Sequence, residues 1–104
     1  MKDEFIDQIS NGTKRFEMRL WSGKKYKLKS GDIIEFRSTL DDSKRIQCTV
    51  KNVYYHPDFE TATHVHGFQN IMPKMDSHWN VVKQYKMFYM RRNLNKYIVV
   101  VYEI

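Results

Sequence analysis

Hydrophobic and polar positions change period several times along the 104 residues. Over residues 3–11, Phe5, Ile6 and Ile9 fall on one helical stripe, with Asp3 placed to cap it and Asn11-Gly12 placed to stop it. Residues 14–20 alternate instead. Phe16, Met18 and Leu20 point one way and Arg15, Glu17 and Arg19 the other, the signature of a half-buried strand. Ser30-Gly31-Asp32 signals a turn before a strand over Ile33–Arg37, and Leu40–Lys44 reads as a hairpin loop. The next strand is expected from Arg45 to Tyr55. Its parity changes: Ile46, Cys48 and Val50 share one face, whereas Val53 and Tyr55 fall on the other. A bulge near Lys51-Asn52 would reconcile the two.

Beyond His56-Pro57, Asp58 can cap a helix carrying Phe59, Ala62 and Val65, which Gly67 closes. Phe68, Ile71 and Met72 before Pro73 predict a second short helix or an ordered loop. A third helix is capped by Asp76 or Ser77 and presents Val81, Val82, Tyr85, Phe88 and Tyr89 on one face, with Trp79 close to it. Asn93–Asn95 is a turn. Tyr97–Ile104 is apolar on both faces and rich in β-branched residues, as a central strand should be. The order of elements predicts an α+β fold in one domain spanning 1–104. A small, strongly curved sheet or barrel is flanked by short helices, and the C-terminal strand is central.

Composition narrows the function. Eighteen Lys and Arg against twelve Asp and Glu give a net charge of +6, which points to a polyanionic partner such as nucleic acid. The single cysteine, Cys48, excludes an intrachain disulfide and a Cys-based zinc site. The longest apolar run, Ile98–Tyr102, is too short to cross a bilayer, and the opening Met1-Lys2-Asp3-Glu4 lacks the apolar core of a signal peptide. The setting expected from these features is intracellular, cytoplasm or nucleus.

The basic charge is concentrated. Lys14, Arg15, Arg19, Lys24, Lys25, Lys27 and Lys29 lie within sixteen residues that contain one acid, Glu17. Such a cluster suits a phosphate backbone, and Trp21 and Tyr26 among the charges offer faces on which unpaired bases can stack. On the strand, Glu17 and Arg19 share a face about 7 Å apart. An ionised Glu17 can accept from a base amino group, and Arg19 can present a two-pronged donor. Lys14 has the opposite parity, but the corner before the strand can turn it inward. One of Tyr54 and Tyr55 must face away from the core and is a candidate cleft wall. His64 and His66, two apart, do not share a helical face, so neither a metal nor any other cofactor is expected.

The motifs also carry a resemblance. Gly12-Thr13-Lys14-Arg15-Phe16-Glu17-Met18-Arg19-Leu20 resembles the G-x-K-x-x-E-x-R-L signature of ASCH domains, and Ser30–Phe36 resembles the family's following strand. Val53–Phe59, Asn70–Pro73, Tyr85–Tyr89 and Lys96–Val100 are similar to later family motifs, in order and across nearly the whole chain. The resemblance implies a PUA-like β-barrel and binding of single-stranded or modified RNA in a cleft beside it. The binding residues would be Lys14, Arg15, Glu17, Arg19, Trp21, Lys24, Lys25, Tyr26, Lys27, Lys29 and the Tyr54–Tyr55 pair. Some relatives are enzymes, so a metal-independent ribonuclease or an acetylcytidine-type amidohydrolase is the alternative, with Lys14 and Glu17 as candidate catalytic groups. In that amidohydrolase branch a Thr stands three residues after the Lys, where this chain has Glu17, and residues 65–76 offer no carboxylate that aligns with the branch's Glu. A protein-interaction module using Trp21 and Tyr26 is a third class.

Overall fold

The computed structural model describes residues 1–21 and 27–104. Helix α1 (Asp3–Ser10) leads into strand β1 (Phe16–Trp21). Strands β2 (Ile33–Arg37) and β3 (Arg45–Thr49) form a hairpin, and β4 (Asn52–His56) follows. Three helices, α2 (Phe59–His66), α3 (Phe68–Ile71) and α4 (His78–Phe88), precede a short 3-10 turn (Leu94–Lys96) and the last strand, β5 (Ile98–Glu103).

Local chemistry sets most of these boundaries. Asp58 Oδ1 accepts from Thr61 N–H at 2.7 Å and starts α2. Gly67, at φ 83°, ends it in a conformation that costs a side chain steric strain. Ser77 Oγ accepts from Asn80 N–H at 3.1 Å and starts α4. The cap expected at Asp3 is not formed. The helix already begins at Asp3, no side chain caps it, and the Asp3 carboxylate accepts from Ser38 Oγ instead.

The expected closed barrel is corrected to two open antiparallel sheets. One has the order β1-β5-β4, with β5 central as its apolar sequence requires; the other is the β2-β3 pair. Val50 explains the difference. Its N–H bonds to Asp32 O and its carbonyl accepts from Gly31 N–H, both at 2.8 Å, continuing the β2-β3 pairing. One residue on, Lys51 N–H bonds to Glu103 O at 2.8 Å, beyond the end of β5's pairing with β4. The single bulged strand expected over 45–55 is therefore two strands in different sheets, and the parity change at Lys51-Asn52 marks the exchange of partners.

Register divides the larger sheet into two faces. Met18, Val101 and Tyr54 lie in one row; Arg19, Val100 and Tyr55 lie in the next, pointing the other way. The first face carries the core: Phe16, Met18, Val99 and Val101 pack with Phe59 and Ala62 of α2, Ile71 of α3, and Val81, Val82 and Tyr85 of α4. Three expected core positions lie outside it. Val65, Trp79 and Phe88 are exposed, because α2 and α4 pack across a narrower stripe than their apolar positions cover. Among the described residues no helix is long and apolar enough to cross a membrane.

Candidate functional site

A cleft of about 360 Å³ opens at the β1 edge of the sheet, reached both by Met18 of the core face and by Glu17 and Arg19 of the opposite face. Its lining includes Lys2 and Phe5 at the start of α1, Lys14, Glu17 and Arg19 from β1 and the residues before it, and Tyr85, Phe88 and Tyr89 from α4 and its C-cap. Lys14 turns inward at the corner before β1 and is only 2% exposed. Its ammonium donates to the carbonyls of Phe16 at 2.9 Å and Ile71 at 2.7 Å, tying β1 to α3. It lies 3.7 Å from Glu17 Oε1 and 5.5 Å from the centre of the Phe5 ring. Burial pulls the Lys14 pKa down, and the adjacent carboxylate works against that shift.

Glu17 is 5% exposed although the alternation of β1 placed it on the polar face. Its Oε1 accepts from Met18 N–H at 3.1 Å and Tyr85 O–H at 3.3 Å, and its Oε2 lies 3.5 Å from Arg19 Nη2. Burial first, and the Glu17 charge second, push the Tyr85 phenol well above its usual range, so it stays a donor. Arg19 is the more exposed partner: its side chain is 48% exposed, with the guanidinium carbon 5.8 Å from the Phe36 ring. A fixed acceptor and a forked donor thus stand side by side, with Phe5, Phe88 and Tyr89 as aromatic walls. A planar, polar-edged ring is the kind of molecule such a cleft can hold.

The ASCH domain family model matches residues 1–104, the whole chain. The chain belongs to the ASCH domain family. Its fold is similar to the crystal structure of hypothetical protein PH0355, with a TM-score of 0.84 and 31% identity over 99% of this chain and 91% of that one. It is also similar to the solution structure of protein PF0455 from Pyrococcus furiosus, with a TM-score of 0.75 and 27% identity over 99% of this chain and 89% of that one. Among curated proteins none matches the chain.

Of the binding residues expected from sequence, the ASCH domain brings Lys14, Glu17 and Arg19 together in the cleft. Trp21 and Tyr55 share the sheet face of Glu17 and Arg19; their rings meet edge-on at 5.5 Å, and Lys27 Nζ lies 5.0 Å over the Trp21 ring. Tyr54 belongs to the opposite face, packed on the His66 ring at 4.8 Å, so Tyr55 is the member of the pair on the face of Glu17 and Arg19, although neither lines the cleft itself. Arg15 does not line the cleft but stands 3.9 Å from Glu103. Lys29 is exposed in the segment before β2. Lys24, Lys25 and Tyr26 lie outside the described residues.

Sequence reasoning missed Phe5, Tyr85, Phe88 and Tyr89 as cleft residues. Helical spacing put Tyr85, Phe88 and Tyr89 on one apolar stripe, and that spacing is the same whether a ring seals a core or walls a cleft.

The histidines make contacts that the spacing of His64 and His66 does not indicate. His66 meets His56, ten residues earlier, with Nε2 atoms 2.8 Å apart, while His64 faces His78 at 6.3 Å. Among the described residues no group of three or more His, Cys, Asp or Glu side chains is placed to hold a metal. Burial lowers both the His56 and His66 pKa values; Asp58 opposes this at His56 and Glu103 at His66. The unfolded chain therefore binds protons first as pH falls through about 6.5, and the folded state loses stability below that value. Urea unfolding at stepped pH should show stability falling from about pH 7 to about pH 5, with a shallower fall in His66→Gln. Equal slopes in the two proteins would show that the pair does not contribute.

Proposed function

We propose that this ASCH domain is an RNA-binding module that receives a base of single-stranded or modified RNA in the cleft between β1 and α4. The observation that carries this reading is the pinned Glu17 carboxylate beside the half-exposed Arg19 guanidinium, set between aromatic walls. A carboxylate held by a backbone amide, a phenol and two cations needs no rearrangement to accept from a base amino group. Arg19 then serves a base carbonyl or a phosphate. Trp21 and Tyr55, further along the same face, offer a stacking surface to a neighbouring base, and Lys27 and Lys29 offer phosphate contacts.

The enzymatic alternative has one observation in its favour, the lowered pKa of Lys14. Against it, the ammonium already donates to two carbonyls and lies 3.7 Å from a carboxylate, which leaves at most one of its three N–H groups for a substrate. Lys14 in this reading is the anchor of the site and not its reacting group.

Fluorescence anisotropy with short labelled single-stranded RNA tests the proposal. Arg19→Ala should weaken binding about tenfold and reduce the salt dependence by about one counterion, with an unchanged melting temperature. Unaltered affinity across the salt series would remove Arg19 from the interface and the cleft reading with it. Cleavage of the RNA in chelator, or release of acetate from an acetylated nucleoside, would establish the enzymatic alternative.

A further inference from the structure

Helix α4 has a second exposed face that the cleft does not use. Trp79 and Met87 lie on one side of the helix, Met90 follows in the turn just beyond its end, and the three are 68%, 55% and 78% exposed. With Val82 and the stems of Lys83 and Lys86 they form a shallow groove of about 340 Å³. Large apolar side chains this exposed and this close together mark binding surfaces more often than solvent faces, and methionines adapt well to an incoming side chain.

Charge identifies the occupant. Residues 77–102 contain no Asp or Glu but hold Lys83, Lys86, Arg91, Arg92 and Lys96. Lys86 is engaged with Glu60 at 2.5 Å, whereas Lys83, Arg91 and Arg92 are exposed and form no ion pair among the described residues. We propose that this groove docks an acidic amphipathic segment of a partner protein, whose apolar side chains seat between Trp79, Met87 and Met90 while its carboxylates meet Lys83, Arg91 and Arg92. A second copy of the chain is disfavoured, since self-pairing would oppose the exposed Lys83, Arg91 and Arg92 of one copy to those of the other. RNA is less suited, because Trp79 is the one planar ring in a groove lined otherwise by thioethers and aliphatic side chains.

Calorimetric titration of the full chain with three synthetic peptides tests this. One is a Glu-rich helix with Leu at i, i+3, i+4 and i+7, the second its scrambled sequence, the third its Lys-for-Glu counterpart. The amphipathic acidic peptide should bind about tenfold or more tightly than the scramble, the Lys peptide should not bind, and Trp79→Ala with Met90→Gln should lose the preference. Both positions are exposed, so an unchanged melting temperature confirms that the variant is folded. Equal binding of the acidic peptide and its scramble would reduce the effect to unspecific charge and overturn the proposal. So would full retention of the preference in the double variant. Concentration-dependent mass in sedimentation, lost in the double variant, would assign the face to a second copy. Single-stranded RNA that protects Trp79 from quenching would assign it to nucleic acid.

Discussion

Lys14→Ala should destabilise the domain by about 3–5 kcal/mol, because it removes one partner of a buried ion pair and leaves the other charged and enclosed. The loss has two sources. The Phe16 and Ile71 carbonyls lose their common donor, and Ile71 belongs to α3, so the bridge between that helix and β1 goes with it. Glu17 loses its buried counter-charge while retaining Tyr85 and the half-exposed Arg19. The double variant Lys14→Met, Glu17→Gln separates the two. Glutamine still accepts from Tyr85 and Met18 and carries no charge, and methionine fills the lysine's volume. The double variant should therefore be more stable than Lys14→Ala, with a coupling between the positions of about 1 kcal/mol or more in denaturant unfolding. A loss below about 1 kcal/mol in Lys14→Ala would mean that water reaches the pair, and the fixed acceptor would not be fixed.

This pair also shows where sequence stops being informative. Alternation correctly separated Phe16, Met18 and Leu20 from Glu17 and Arg19, and the same rule read the second set as facing away from the core. Glu17 does face away from it by register, yet is buried, because at the edge of the sheet its carboxylate meets Tyr85 of α4 and the buried Lys14. Nothing local to β1 encodes a partner brought from 68 residues away. The same limit applies to His56 and His66, whose contact depends on how β4 meets the end of α2. Elements with their own punctuation were legible. Asp58 and Gly67 delimit α2, Ser77 opens α4, and the unbroken valines of β5 require cover on both faces. The parity change at Lys51-Asn52 was visible too, but parity records only that the chain's facing changes. A bulge within one sheet and a transfer between two sheets give the same pattern, and the pairing of Lys51 with Glu103 is a tertiary fact.

Core and cleft meet at Phe59. Its ring stacks on Tyr89 with centroids 5.8 Å apart and lies 5.5 Å from Tyr85, so two of the cleft's aromatic groups rest on one buried side chain of α2. Phe59→Ala should cost about 3–5 kcal/mol through lost transfer energy and the cavity left behind, while Phe59→Leu should cost markedly less. The functional consequence distinguishes Phe59 from a remote core residue. Tyr85 holds Glu17 through its hydroxyl, and a loosened Tyr85 frees the carboxylate to adopt other rotamers. RNA affinity, measured where the variant is still folded, should therefore fall in Phe59→Ala, whereas Val101→Ala, fully buried in β5 and outside the cleft lining, should lower stability and leave affinity unchanged. Arg19→Ala is the complement, losing affinity with little change in stability. If Phe59→Ala and Val101→Ala weaken binding equally at matched stability, the aromatic support beneath Tyr85 and Tyr89 does not position the site.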